Sequence, residues 1–454
     1  MEFLSDLFER AAGTVEAASG DAMPPPDVAG LLGLLGYRDA DPIAAPHRAA
    51  LLRAAARFRR LFRLAVHDAP GLCFFGAEVD PATFVALGVP GDGLPLVRSA
   101  GSGLSWGTAF ECCVGEGIEY LAGIRPTHLD EEIVASSEGM ASLDPASQLY
   151  VAAVLDHCSV PAERPIGWTS ALRLRDRAQG RFPLDLCVRR SPAERDFTPP
   201  LRLGTGCAAG PSVAAATLHA LLELVERDAA ALWWRGGARG RLLPAESAAA
   251  CHAIALVRRL RGDARGRETW LLDITTDLGI PVVAAVSARL DGRGFTYGVA
   301  CRLTRVAAAA AAVFELCQME LGHRLAARRR QEQGDAALTE GDRGHLYRAD
   351  LIDVARCALL HPTAPGRPAW TGPATAGDES ALHHLVAWLA SREIDAYAID
   401  LTHPELGVPV VRVIAPALQL DPCAIATERL TRMIARTGGG DTSTGGVALF
   451  QAPG

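Results

Sequence analysis

The chain has 454 residues and a net charge of −7, with 49% hydrophobic and 21% charged residues. That composition gives a sizeable core, as one large domain with an appendage or as two or three domains, and it excludes a mainly disordered chain. The acidic charge is spread, which leaves no electrostatic footprint for nucleic acid, and no apolar run approaches the ~20 residues of a membrane span.

Residues 1–68 predict an N-terminal helical segment. Its clearest part is "AAPHRAALLRAAARFRRLFRLAV" (45–67), with apolar residues at helical spacing and arginines opposite, read as a solvated face over a core. "AMPPPD" (22–27) breaks it into pieces. A main domain is expected over 69–435. There, short apolar strands, glycine-rich turns and long helices recur three times. "LPLVRSAGSGLS" (94–105) reads as a strand entering a glycine loop and precedes the helix "WGTAFECCVGEGIEYLAG". "LRLGTGCAAGPS" (201–212) precedes a helix from Val213 to about Trp234, and "TYGVACRLTRV" (296–306) precedes an alanine-rich helix to about Arg330.

A second repetition is sharper. "LLDITTDLGIPVVAAV" (271–286) and "AIDLTHPELGVPVVRV" (398–413) share one pattern. Each is a strand, Asp-x-Thr, a turn closing on Leu-Gly, then Ile/Val-Pro-Val-Val and a second strand. Glycine suits a turn needing positive φ, and proline is tolerated at a strand start. The fold class expected is α+β with internal pseudo-symmetry, its sheets flanked by long helices. "RRSPAERDFTPP" (189–200) reads as an exposed connection, 331–348 as polar surface, and 436–454 as a flexible Gly-rich tail.

The eleven cysteines are scattered, without a Cys-x-x-Cys pair, and read as small buried hydrophobes of a reducing compartment. No thiolate or histidine cluster suggests zinc. The acidic, amphipathic N-terminus lacks the basic start of a signal peptide, so a cytoplasmic protein is expected.

Each of the three helices carries an acid followed three residues later by an acid or amide: Glu116 and Glu119, Glu223 and Glu226, Glu315 and Gln318. Positions i and i+3 are neighbours on one helix face. A lone Glu-x-x-Glu is ordinarily a solvated face. Here "VAAATLHALLELVE" (213–226) is apolar nearly all round, which predicts burial. A buried carboxylate must be protonated, paired or metal-bound. Arg227 can neutralise one acid but not five. Glutamate oxygens without soft ligands favour Mg²⁺, which prefers phosphate oxygens, so a nucleotide is expected. The common nucleotide signatures are absent: there is no P-loop, the glycines of "GTGCAAG" (204–210) do not fit G-x-G-x-x-G, and no kinase motif set appears. His219 reads as a core histidine, with an active-site neighbour as the alternative, Asp228 as a partner for an arginine, and Trp233 and Trp234 as core.

Four stretches resemble the YcaO family, in order over roughly 90–420. They are "SAGSGLSWGTAFECCVGEGIE", "GTGCAAGPSVAAATLHALLELVERDA", "AAAAAAVFELCQMEL" and "LGVPVVRVIAPAL". The resemblance implies the YcaO-type fold, a site lined by these glutamates, and ATP and Mg²⁺ as cofactors. Glu116, Glu119, Glu223, Glu226 and Glu315 would be Mg²⁺ ligands or their close supports. Ser102, Gly103, Glu116, Gly206, Glu226, Arg227 and Gln318 would face ATP. It implies a cyclodehydratase that activates backbone amides of a ribosomal precursor peptide and forms azolines at Cys, Ser or Thr in natural-product biosynthesis. Thioamide or amidine formation is the alternative within the family, and a non-catalytic scaffold the alternative outside it. A separate leader-binding partner, a flavin dehydrogenase and a homodimer are the partners implied. Tyr120, Ser102, Gly206 and Glu320 stand where the family commonly has Arg, Lys or Arg, Asn, and Arg.

Overall fold

The structure, a computed structural model, describes residues 2–17, 24–38, 41–87, 94–124, 126, 128–364, 377–440 and 449. Part of the expected break at 22–27 and most of the expected 436–454 tail lie outside the described residues. Among the described residues, no helix is long and apolar enough to cross a membrane.

Three helices, Glu2–Glu16, Pro26–Leu35 and Ala45–Ala56, form the N-terminal layer. Phe8, Val28, Leu51 and Leu52 share one core with Phe75 and Phe110 of the chain beyond. The helix predicted over 45–67 stops at Ala56, and Arg60–Arg63 is a strand. Phe58 turns into the core against Phe84, ring centroids 6.2 Å apart. That long-range contact overrides local helix propensity.

The strands are β1 (Arg60–Arg63), β2 (Cys73–Val79), β3 (Val97–Gly103), β4 (Glu132–Val134), β5 (Ile166–Arg173), β6 (Gln179–Pro183), β7 (Cys207–Ala209), β8 (Arg241–Leu242), β9 (Arg267–Asp273), β10 (Val282–Arg289), β11 (Thr296–Cys301), β12 (Tyr397–Asp400) and β13 (Val410–Ile414). They form three antiparallel sheets: β1-β2-β3; β11-β10-β9-β8; and β4-β5-β12-β13-β7, with β6 beside β5. This is the mixed α+β architecture expected.

The 271–286 and 398–413 repeats are the hairpins β9–β10 and β12–β13. Their shared residues make the same bonds. Asp273 Oδ1 accepts from the Thr275 amide at 3.0 Å, and Asp400 Oδ1 from the Thr402 amide at 2.9 Å. The Thr275 and Thr402 hydroxyls then accept, each at 3.1 Å, from Val282 and Val410, the amides that open the second strands. Gly279 and Gly407 take φ of 74° and 64°. The Asp-x-Thr motif therefore closes a turn. Thr402→Val keeps the shape but leaves the buried Val410 amide unpaired. Denaturant unfolding should show a loss of about 1–2 kcal/mol, and an unchanged midpoint would show that the hydroxyl carries no stability.

All eleven cysteines are free thiols. The 331–348 stretch is not wholly surface: Leu338, Leu346 and Arg348 are buried. Past Gly440, the one described residue, Leu449, is buried, and its carbonyl accepts from the Tyr297 hydroxyl at 2.5 Å.

Candidate functional site

Three long helices, Trp106–Ala122, Val213–Trp234 and Arg305–Gln333, follow β3, β7 and β11 in the chain. Each begins the same way. The Ser105, Ser212 and Thr304 hydroxyls accept from the amides of Thr108, Ala215 and Ala307, which caps donors the helix cannot satisfy itself. Two of these helices lie directly on the preceding strand because the strand carries a glycine. A Cβ at Gly101 would overlap the Ala109 carbonyl and Cys113 amide, and one at Gly298 the Ala312 carbonyl and Leu316 amide.

This closeness lets the glutamates reach backbone. Glu116 accepts from the Ala100 amide of β3 at 2.8 Å, and Glu315 from the Val299 amide of β11 at 2.9 Å. Glu119, one turn on, accepts from the Ala209 amide of β7 at 2.8 Å. Glu223 accepts from the Gly206 amide at 3.0 Å, where φ is +77°, and Glu226 from the Cys301 amide of β11 at 3.1 Å. Each i, i+3 glutamate pair thus ties one helix to two segments, and the carboxylates gather where the three sheets meet.

Arg227 ties two of them together: its guanidinium lies 3.2 Å from Glu223 and 3.1 Å from Glu226. Burial raises the Glu226 and Glu315 carboxyls; Arg227 opposes both shifts, and repulsion from Glu223 adds to both, with Glu315 adding further at Glu226. Burial pushes Glu119 up to about 8 and Glu116 to about 7, their backbone hydrogen bonds opposing. Glu116 also faces open space, so water discounts its shift.

Glu116, Glu119, Glu223, Glu226 and Arg227 line a cavity of about 870 Å³. Arg98, Arg189, Arg195, Arg202 and Arg302 line it too. Sequence reading missed these five arginines, because they come from strands and connections far from the glutamates. The chain contains no lysine, so any phosphate grip falls to guanidinium groups, which bind phosphate through two parallel donors. The donor set is hard oxygen facing cations. Among the described residues no three His, Cys, Asp or Glu side chains could hold a metal ion by themselves. A cation here would complete its shell from phosphate oxygens and water, as Mg²⁺ does, so the residues fit Mg²⁺ held together with a polyphosphate.

Several expected residues lie elsewhere. The predicted glycine loop after Val97 is strand: Ser102 and Gly103 are in β3, paired with Phe74 and Cys73, off the cavity wall. Gln318 is half-buried and Glu315 packs on β11, both off that wall. Gly206 stands between the wall residues Thr205 and Cys207. The 189–200 stretch is not simply exposed: Phe197, Pro199 and Pro200 are buried, and Arg189, Arg195 and Pro199 line the cavity. His219 is exposed on the cavity wall and is not a core histidine. The apolar helix around it is opened by the cavity, a tertiary feature its own sequence does not encode. Asp228 pairs with Arg429 at 2.8 Å, and Trp233 and Trp234 are buried, as expected.

Two departures from the usual motif acquire structural roles. Glu320 is buried between Arg261 and Arg267, 2.8 and 3.0 Å away. Tyr120 donates to the Pro95 carbonyl at 3.1 Å, and the Arg189 guanidinium lies 4.8 Å from its ring centre.

The family model described as YcaO cyclodehydratase, ATP- and Mg²⁺-binding, matches residues 100–419. An uncharacterized protein in the tfuA 3′ region of Rhizobium leguminosarum bv. trifolii is 29% identical over 341 residues, 71% of this chain and 76% of the relative. Among solved structures, a heterocyclase in complex with substrate and cofactor superimposes with a TM-score of 0.67 at 22% identity, covering 87% of this chain and 55% of that one. The heterocyclase TruD gives 0.55 at 21% identity, covering 72% and 48%. YcaO from Methanopyrus kandleri, bound with AMPPCP and Mg²⁺, gives 0.57 at 18% identity, covering 90% and 94%. The chain thus spans about half the length of the two heterocyclases.

Proposed function

This chain belongs to the YcaO family of ATP- and Mg²⁺-binding proteins, and we propose that it is a cyclodehydratase forming azolines at Cys, Ser or Thr of a ribosomal precursor peptide. The observation that carries this reading is the cavity wall, with Glu116, Glu119, Glu223 and Glu226 opposed by five arginines. When bound, ATP supplies the phosphoryl group that makes an amide oxygen a leaving group, and Mg²⁺ offsets the charge.

The chain's own residues hold and orient. Glu116, Glu119, Glu223 and Glu226 would hold Mg²⁺ jointly with phosphate oxygens and water, each with one oxygen fixed by a backbone amide. Arg227 keeps Glu223 and Glu226 aligned and limits their repulsion. Arg98, Arg189, Arg195, Arg202 and Arg302 receive phosphate oxygens. Glu315 ties its helix to β11 at Val299, two residues from the Cys301 amide that holds Glu226, and the Gly206 backbone donates to Glu223. Ser102, Gly103 and Gln318 act behind the wall, not on ATP. In this reading the three helices up to Ala56 are a layer on the YcaO domain, whose first sheet takes β1 from within the expected 1–68 segment, and 69–435 remains the body of that domain, followed by the 436–454 tail.

A peptide substrate and a separate leader-binding partner complete the assignment. One similar structure is the E. coli microcin synthetase McbBCD complex with pro-MccB17 bound. A flavin dehydrogenase and a homodimer belong to the same proposal, as does a cytoplasmic location.

The net chemistry removes one water from the peptide as ATP becomes ADP and phosphate. Mass spectrometry of a candidate precursor incubated with the protein, its partner, ATP and Mg²⁺ should show loss of one water per ring. Replacement of oxygen by sulfur would assign a thioamide-forming enzyme instead. ATP binding without any peptide change in the complete assembly would overturn the cyclodehydratase reading.

A further inference from the structure

Each of the three sheets turns one edge strand toward the carboxylates: β3, β7 and β11 stand at the ends of their strand orders. An edge strand leaves alternate backbone groups unpaired, and here the glutamates take them. Ala100 of β3, Ala209 of β7, and Val299 and Cys301 of β11 each donate to a carboxylate. Cys207 of β7 donates to the Gly204 carbonyl.

Of the strand residues on the cavity wall, Arg98 is left over. In β3, Val97, Ser99 and Gly101 stand opposite Val79, Ala77 and Phe75 of β2. Two bonds fix which backbone groups face which way. The Phe74 carbonyl accepts from the Leu64 amide and so faces β1, which turns Phe75, Ala77 and Val79 toward β3. The Ala100 amide faces Glu116, away from β2. Arg98, two residues before Ala100, therefore also points its N–H and C=O away from β2. Val97, Arg98 and Ser99 line the carboxylate cavity. Among the described residues, neither backbone group of Arg98 has a hydrogen-bond partner.

One N–H and one C=O of a single residue, side by side, are what an antiparallel strand exchanges with its neighbour. We propose that Arg98, through its backbone, holds the substrate peptide as an added extended strand on the β1-β2-β3 sheet. The inference rests on the reading of this chain as an enzyme acting on a peptide. About 7 Å of strand separates Arg98 from Ala100, whose amide Glu116 holds, so the amides that follow along the bound peptide run toward the carboxylates. A grip on backbone reads no side chain. It demands an extended conformation and excludes proline at the paired position, which suits chemistry carried out on the backbone amide itself.

The probe is a synthetic nine-residue peptide, one cysteine among threonines and valines, at up to millimolar concentration with the full chain and no nucleotide. It should bind saturably and slow hydrogen exchange across residues 97–103. Arg98→Pro removes the outward N–H and spares the bonds to β2, where an edge strand tolerates proline. Its peptide affinity should fall at least tenfold, whereas Arg98→Ala, which keeps the amide, should stay within twofold of the parent. Both variants lose the same side chain, so their Mg²⁺·ATP affinities should match each other, and melting curves check the fold. If Arg98→Pro does not fold, single N-methyl groups along the peptide decide on the parent protein: binding should weaken at alternate positions, the period of a strand. Equal peptide affinity in the two folded variants, an N-methyl series without alternation, or no binding overturns the proposal. Alternation without ring formation in the complete assembly overturns the cyclodehydratase reading and leaves the strand grip standing. Ring formation untouched by Arg98→Pro does the reverse.

Discussion

A Glu119→Gln, Glu226→Gln variant is expected to lose Mg²⁺·ATP affinity by about 10²–10³-fold while keeping its fold. Glutamine retains the oxygen that accepts from Ala209 and from Cys301 in the parent, so the helix–strand ties survive. Arg227 keeps Glu223 as its ionic partner. What disappears is two negative charges on the cavity wall. Loss of a group interacting closely with a metal or phosphate is commonly worth a few kcal/mol. Isothermal titration calorimetry measures the affinity, and a melting curve without metal at pH 8 measures the fold. That curve should match or exceed the parent, since two carboxyls resisting ionisation are gone. Unchanged affinity would remove these glutamates from the nucleotide site. A collapsed fold would mean that the charges themselves hold the three sheets together.

The second large effect is a pH dependence of opposite sign to the usual acid denaturation. Burial raises the Glu119 carboxyl to about 8 and also raises Glu226. A carboxyl whose folded pKa is raised holds its proton more tightly in the folded chain. Its stabilising contribution is complete below the ordinary value of 4.5 and is lost as pH rises through about 8. Metal-free protein should therefore lose about 2–4 kcal/mol from these groups between pH 5 and pH 8.5, after allowance for water in the cavity. Saturating Mg²⁺·ATP should abolish that loss, because the ionised carboxylates then have a cation. Mg²⁺·ATP affinity should rise over the same interval, as each binding event releases fewer protons. Denaturant unfolding at fixed ionic strength tests the first statement and calorimetry in buffers of different ionisation enthalpy the second. Metal-free stability that is flat or rising over this range would refute it.

The glutamates were legible because a carboxylate in an apolar helix is costly. Glu116, Glu119, Glu223, Glu226 and Glu315 all stand on helices that lie close to strands, and all five find a backbone amide. Their partners were not legible. Nothing local in "LVRSAG" says that the Ala100 amide will meet Glu116, sixteen residues away, or in "GVACR" that Cys301 will meet Glu226, seventy-five away. The same limit explains Ser102 and Gly103. The run before the first helix reads as a glycine loop, yet Gly101 lets helix and strand touch, and its neighbours pair with β2.

What the sequence by itself determined was whatever rests on short-range chemistry. The caps at Ser212 and Thr304, the start and end of the Val213–Trp234 helix, the two Asp-x-Thr hairpins and the costly acids all follow from residues within a few positions of each other. Only the tertiary structure decided which arginines face the acids. Arg98, Arg189, Arg195, Arg202 and Arg302 come from scattered segments. An arginine on a strand end or a loop carries no periodic signature, because its position is fixed by packing rather than by its neighbours. The end of the helix at Ala56 and the exposure of His219 were decided the same way, by Phe58 turning into a distant core and by a cavity opening beside an otherwise apolar helix.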